Sequence, residues 1–232
     1  MFLERSKYFI ITLSFLFLTS SYTQAASFKA GGTWFSKDVK SLKEIKRKNI
    51  VPQSLDYSCG PAGLSTLFNY YLSDRVSEAE IITILRKTVP EERIRSRHGF
   101  SLLDLKNFAQ SKGYKVTGYR MDEKFLRQLK EPVLVPIKFK NYHHFVIVKG
   151  VVDDRVFIAD PFMGNLSLKV NKFMDMWTSG IGLVIERKGI DKKPVNFALK
   201  VDKEDFIIAD YKMMNRLLDT VAYRTKIYPG EF

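Results

Sequence analysis

The stretch VLVPIKFKNYHHFVIVKGVVDDRVFIAD, residues Val133–Asp160, decides the fold. It holds short runs rich in Val, Ile, Leu and Phe at Val133–Phe139, His144–Lys149 and Val156–Ala159, the composition of strands on a packed sheet. Asp153-Asp154 between the second and third runs is a turn signal, and so short a connection makes neighbouring strands antiparallel. Leu166–Val170 and Gly182–Glu186 extend the series. Upstream the pattern is helical. Gly60–Leu72 sets Leu64, Leu67, Phe68 and Tyr71 on one face, with Pro61 suited to a first turn. Ser77 followed by Glu80 starts a second helix through Leu85, and Ser101 followed by Asp104 a third that stops at Gly113. The connection between them carries Arg93, Arg95, Arg97 and His98 and reads as a loop, and a shorter helix covers Asp122–Lys130. Helices first and strands afterwards predict an α+β domain in two layers, with the first helix packed on an antiparallel sheet.

A chain of 232 residues with 45% hydrophobic and 13% aromatic content supplies one sizeable core. Arg5 and Lys7, the apolar run Tyr8–Leu18 and the small residues around Ala25 and Ala26 read as a cleavable secretory leader over residues 1–25. Residues 26–49 then form a linker, 50–188 the domain and 189–232 an extension, where Ile207, Ile208, Tyr211, Met214, Leu218 and Val221 make a helical stripe suited to packing on the domain. Beyond the leader no stretch is long and apolar enough to span a membrane, so the expected location is periplasmic or secreted. The net charge is +13, but Lys43–Lys48 is the one dense basic run, and no zinc-finger spacing, phosphate loop or aromatic ladder accompanies it. Nucleic acid is therefore not expected as a partner.

The single cysteine, Cys59, has no partner for an internal disulfide. It stands between Asp56-Tyr57-Ser58 and Gly60-Pro61 at a loop-to-helix junction, where unsatisfied N–H groups and the helix dipole favour the attacking thiolate. Gly60 beside it leaves room for a substrate backbone to approach. Thiol catalysis needs a base near neutral pH, usually histidine. His98 lies in the arginine-rich connection and reads as a surface or loop-contact residue. His143 and His144 open a strand, and alternation sends them to opposite faces: His144 joins Val146 and Val148, His143 joins Phe145 and Ile147. Alternation leaves the choice open. Asp160, at the end of the strand paired with the histidine strand, is placed to orient an imidazole, although an Asp before Pro161 is also a common turn cap.

Gln53 and Cys59 in Val-Pro-Gln-Ser-Leu-Asp-Tyr-Ser-Cys-Gly-Pro-Ala resemble the nucleophile box of the C39 peptidases, papain-like enzymes that process bacteriocin and peptide leaders. Gly99–Leu105 with Gly113-Tyr114, the strand His144–Val148, and Asp160-Pro161 followed by Gly164 are similar to further segments of that family, in the same order. The resemblance covers roughly Ile50–Glu186. It implies a papain-like fold, Cys59 as nucleophile, His144 rather than His143 as base, Asp160 as its orienting partner, and Gln53 with the Cys59 N–H as oxyanion donors. His143 is left as a neighbour that shapes the substrate cleft.

Many members are fused to a peptide-exporting transporter, whereas this chain carries an export signal of its own. The expected substrate is a secreted or periplasmic protein or peptide, and exported domains of this kind accompany secretion systems for functional amyloid or other surface fibres. Acyl transfer or amidase chemistry on the same Cys-His-Asp set, or a non-catalytic peptide-binding module, are the alternatives. No cofactor is implied, and a zinc site would have only one cysteine and leave Gln53 unexplained.

Overall fold

The computed structural model describes residues 25–30, 33–38, 41–139, 142–187 and 197–201. A hairpin comes first, β1 (Ala25–Ala30) against β2 (Thr33–Asp38), with Phe28 opposite Phe35. A separate compact body begins at Leu42. It runs α1 (Leu42–Arg47), α2 (Cys59–Tyr70), α3 (Glu78–Thr88), α4 (Glu91–Arg97), α5 (Leu102–Ser111), β3 (Lys115–Arg120) and α6 (Glu123–Arg127). There follow β4 (Val133–Phe139), β5 (Tyr142–Val152), β6 (Arg155–Asp160), β7 (Gly164–Lys169), α7 (Val170–Met176), β8 (Ile181–Glu186) and a 3₁₀ turn, Phe197–Leu199.

Helix starts follow their capping chemistry. Ser77 accepts from the Glu80 N–H at the head of α3, and Ser101 with Asp104 closes a reciprocal capping box on α5. Asp122 caps α6 through the Phe125 N–H. The arginine-rich segment expected as a loop is instead α4, a short exposed helix whose Arg95 pairs with Glu91 one turn earlier. His98 ends it in the left-handed conformation.

The sheet is antiparallel throughout, in the order β3-β8-β4-β5-β6-β7. Alternate residues of its central strands feed two cores. Leu134, Ile147, Ala159, Leu183 and Ile185 pack with Leu64, Leu67 and Phe68 of α2, Ile81 and Leu85 of α3, and Leu105 and Phe108 of α5. Phe68 meets Phe108 and Tyr114 edge-on in this core. Val133, Val135, Val146, Val148, Ile158 and Val184 form the other core with Leu126, Phe173, Met176 and Trp177. Trp177 is fully buried, and its Nε1–H donates to the Ile181 carbonyl, so the indole brings no unpaired donor inside. The two-layer expectation is therefore corrected: α6, α7 and Trp177 cover the second face of the sheet. The run expected as a strand to Val170 turns into α7 at that residue, and a seven-residue helix is too short to show its own periodicity.

The boundaries shift as well. Residues 26–49, expected as a linker, hold the hairpin and α1, and the compact body starts before Ile50. Gly164, at φ +88°, has no side chain where the Lys46 carbonyl approaches it, Asn165 Nδ2 donates to the Lys48 carbonyl at 2.8 Å, and Arg47 reaches the Phe162 carbonyl. The basic run thus lies on the sheet edge at β7. From the extension, Leu199 is buried in the α2 core and the Ala198 carbonyl accepts from Asn49 Nδ2 at 2.8 Å. The leader, apart from Ala25, and the helical stripe expected from Ile207 to Val221 lie outside the described residues.

Candidate active site

Cys59 is the first residue of α2 and is 6% exposed. The residue before it, Ser58, sits at the helix cap but does not use its side chain there: its Oγ donates to the Leu55 carbonyl at 2.8 Å and accepts from the Leu55 N–H at 3.0 Å. Spending the hydroxyl on the preceding loop leaves the first-turn N–H groups of α2 without a side-chain cap, beside the thiol. Pro61 contributes no N–H to that turn.

Strands β5 and β6 run antiparallel with Ile147 opposite Ala159, which sets the start of β5 beside the end of β6. His144 and Asp160 meet there. Both lie in rows whose other members, Val146, Val148, Val156 and Ile158, fill the second core, and both are buried, at 3% and 2% exposure. His144 Nε2 lies 2.9 Å from Asp160 Oδ1. The same oxygen accepts from the Phe162 N–H at 2.7 Å and the Met163 N–H at 3.0 Å. Asp160 therefore caps the turn and holds the imidazole with one carboxylate, so the two readings of this residue are compatible.

Burial works against charge on the His144 ring. The Asp160 carboxylate outweighs it by charge and hydrogen bond, with the Cys59 side chain adding in the same sense, and the imidazole pKa is raised to about 10. Nδ1 is buried without a partner in hydrogen-bond geometry, although the thiol is near enough to favour the protonated ring. The ring is thus poised toward sulfur on one side and fixed by a carboxylate on the other. Because the folded pKa lies above the unfolded value near 6.5, the stability this group contributes is fully present below about pH 6.5 and is lost as pH rises toward 10. The thermal midpoint is expected to fall between those limits, and to fall less in His144→Gln, as a calorimetric pH series would show.

Gln53 reaches the site through its backbone. Its N–H donates to the Pro161 carbonyl at 3.0 Å, tying its loop to the turn beyond Asp160. Its side chain donates from Nε2 to the Leu55 carbonyl at 3.0 Å, while Oε1 is buried without a partner. A primary amide has two N–H groups, so one remains for another acceptor.

The other expected site residues fall differently. His143 is exposed and stands opposite Lys138 in the β4–β5 register, outside the buried set. Gly60 is accounted for by packing: a Cβ there would come within 2.9 Å of Leu105 Cδ1 and 3.2 Å of Phe145 Cδ2, so its bare face is turned to α5 and β5. Tyr142 was not singled out by sequence reasoning. It stacks on His144 with ring centroids 6.0 Å apart, and its hydroxyl donates to the Asp56 carbonyl at 3.2 Å. The signal lay in its position two residues before His144, in the same row of β5.

The chain is similar to known proteins in sequence and in fold. The model of the Peptidase C39 family matches residues 47–189. A probable functional amyloid protease of Pseudomonas fluorescens, FapD, is 34% identical over 170 residues, covering 72% of this chain and 74% of the relative. Its namesake in Pseudomonas aeruginosa is 32% identical over 186 residues, covering 78% and 81%. Among solved structures, the peptidase domain of Streptococcus ComA, a bi-functional ABC transporter of a quorum-sensing pathway, superposes with a TM-score of 0.52 over 61% of this chain and 100% of that domain. At 22% identity that likeness concerns the fold.

Proposed function

Since the chain belongs to the peptidase C39 family and is a cysteine peptidase, we propose that it is exported and cuts a peptide bond in a component of a secreted fibre, with Cys59 as nucleophile. The observation that carries the assignment of roles is the buried His144–Asp160 pair, 2.9 Å apart, at the foot of a helix that begins with the only cysteine. Cys59 Sγ, its proton already resting on His144 Nδ1, attacks the scissile carbonyl carbon, and Asp160 stabilises the imidazolium through Nε2. The carbonyl oxygen becomes an oxyanion held by the Cys59 N–H and the uncommitted N–H of Gln53, donors of a kind worth about 10²–10³-fold each. Collapse breaks the C–N bond, His144 Nδ1 protonates the leaving amine, and a thioester remains. His144 then takes a proton from water, whose oxygen attacks the thioester; the new carboxyl end leaves and the thiol is restored.

The basic, apolar and small-residue pattern of residues 1–25 supports export to the periplasm or beyond, and the two relatives named as functional amyloid proteases support a fibre component as substrate and a fibre-assembly system as partner. Hydrolysis is distinguished from acyl transfer by running the reaction in heavy-oxygen water with an added primary amine, on exported proteins from cells lacking the active enzyme. A product carboxylate carrying one heavy oxygen supports the peptidase; an amide of the added amine as main product refutes hydrolysis as its reaction.

A further inference from the structure

Tyr142 contacts the His144 ring and the loop that delivers Cys59 without belonging to the reacting set. Its hydroxyl binds the Asp56 carbonyl in the loop that delivers Cys59, while its ring lies over the His144 imidazole at an interplanar angle of 29°. The phenol is driven above its ordinary pKa, first by burial and then by the negative sides of Cys59, Asp160 and Asp56, so it stays a neutral donor through the working range. Tyr142 thereby joins two elements that sequence separates by more than eighty residues: the loop before α2 and the start of β5.

We propose that Tyr142 is a positioning residue: its ring fixes the plane of His144 against Asp160, and its hydroxyl holds the Cys59 loop at the distance at which sulfur and Nδ1 share a proton. The inference rests on the reading of His144 as the base for Cys59. It acts through His144, and that gives it a signature general destabilisation lacks.

The test is the rate at which iodoacetamide alkylates Cys59 in the purified chain at pH 7, followed by intact mass, for Tyr142→Phe, Tyr142→Ala, His144→Ala and the double variant. A free cysteine is a few per cent thiolate at this pH, so losing the base is expected to slow alkylation by up to about 30-fold. Within that ceiling Tyr142→Ala is expected to lose about tenfold and Tyr142→Phe, which keeps the ring, about threefold. With His144 already alanine, Tyr142→Ala is expected to change the rate by less than about twofold, because non-additivity marks residues that act together. A wild-type rate in Tyr142→Ala, or the same loss in both backgrounds, overturns the proposal. An undiminished rate in His144→Ala overturns the base assignment itself, and this inference with it. Should Tyr142→Ala fail to fold by circular dichroism, Tyr142→Phe decides through the same cycle.

Discussion

His144→Ala is expected to remove peptide-bond cleavage as completely as Cys59→Ala, about 10⁴–10⁶-fold below wild type, and the double variant is expected to lose no more, as for catalytic groups that act as a unit. In the proposed mechanism the two side chains share one proton: without the base the thiol attacks slowly and the amine leaves unprotonated, and without sulfur the imidazole has nothing to activate. Additive losses in the double variant, measured as product termini formed per unit time, contradict the shared role. Cys59→Ala should also leave the fold intact, because Cys59 lies at the start of α2 and outside both main clusters of core side chains.

The largest stability effect belongs to Asp160→Ala. Oδ1 is the common acceptor for His144 Nε2, the Phe162 N–H and the Met163 N–H, at a site 2% exposed. Alanine leaves an imidazole and two backbone donors buried without it. Removing one partner of a buried, hydrogen-bonded charge pair typically costs about 3–5 kcal/mol. A denaturant titration is expected to show that loss. Asp160→Asn is expected to recover most of it, since the amide oxygen still accepts from the turn, but not the charge that keeps His144 protonated. If Asp160→Ala unfolds at the wild-type midpoint, the turn does not depend on the carboxylate.

The elements legible in sequence were those with a local cause. Ser77, Ser101 and Asp122 mark helix starts because each side chain satisfies an N–H within its own first turn. The central strands β4 to β6 stood out because burial on both faces makes them continuously apolar. Strand β3 was missed: it is an edge strand, and Val116 is the only residue of it that is buried. Helix α4 was read as a loop because it is nearly all charged, its one buried side chain being Ile94. The site divides in the same way. The placement of Cys59 came from its own junction, whereas the difference between His143 and His144 depends on what packs over the end of β5, which no local pattern encodes. Gly60 drew attention for its neighbour, and only the tertiary packing shows Leu105 and Phe145 filling its bare face. Tyr142 needed the loop of Asp56 brought across from the other end of the domain before its hydroxyl had a partner.

The proposed reaction is cleavage of an exported protein through Cys59. It is tested most directly by comparing the amino termini of the exported proteins, by mass spectrometry, between cells producing the wild-type chain and cells producing Cys59→Ala at the same level. At least one internal terminus present with the wild type, belonging to a fibre component, is expected to disappear with Cys59→Ala, and the uncut protein to appear instead. An identical set of termini in the two strains would contradict it.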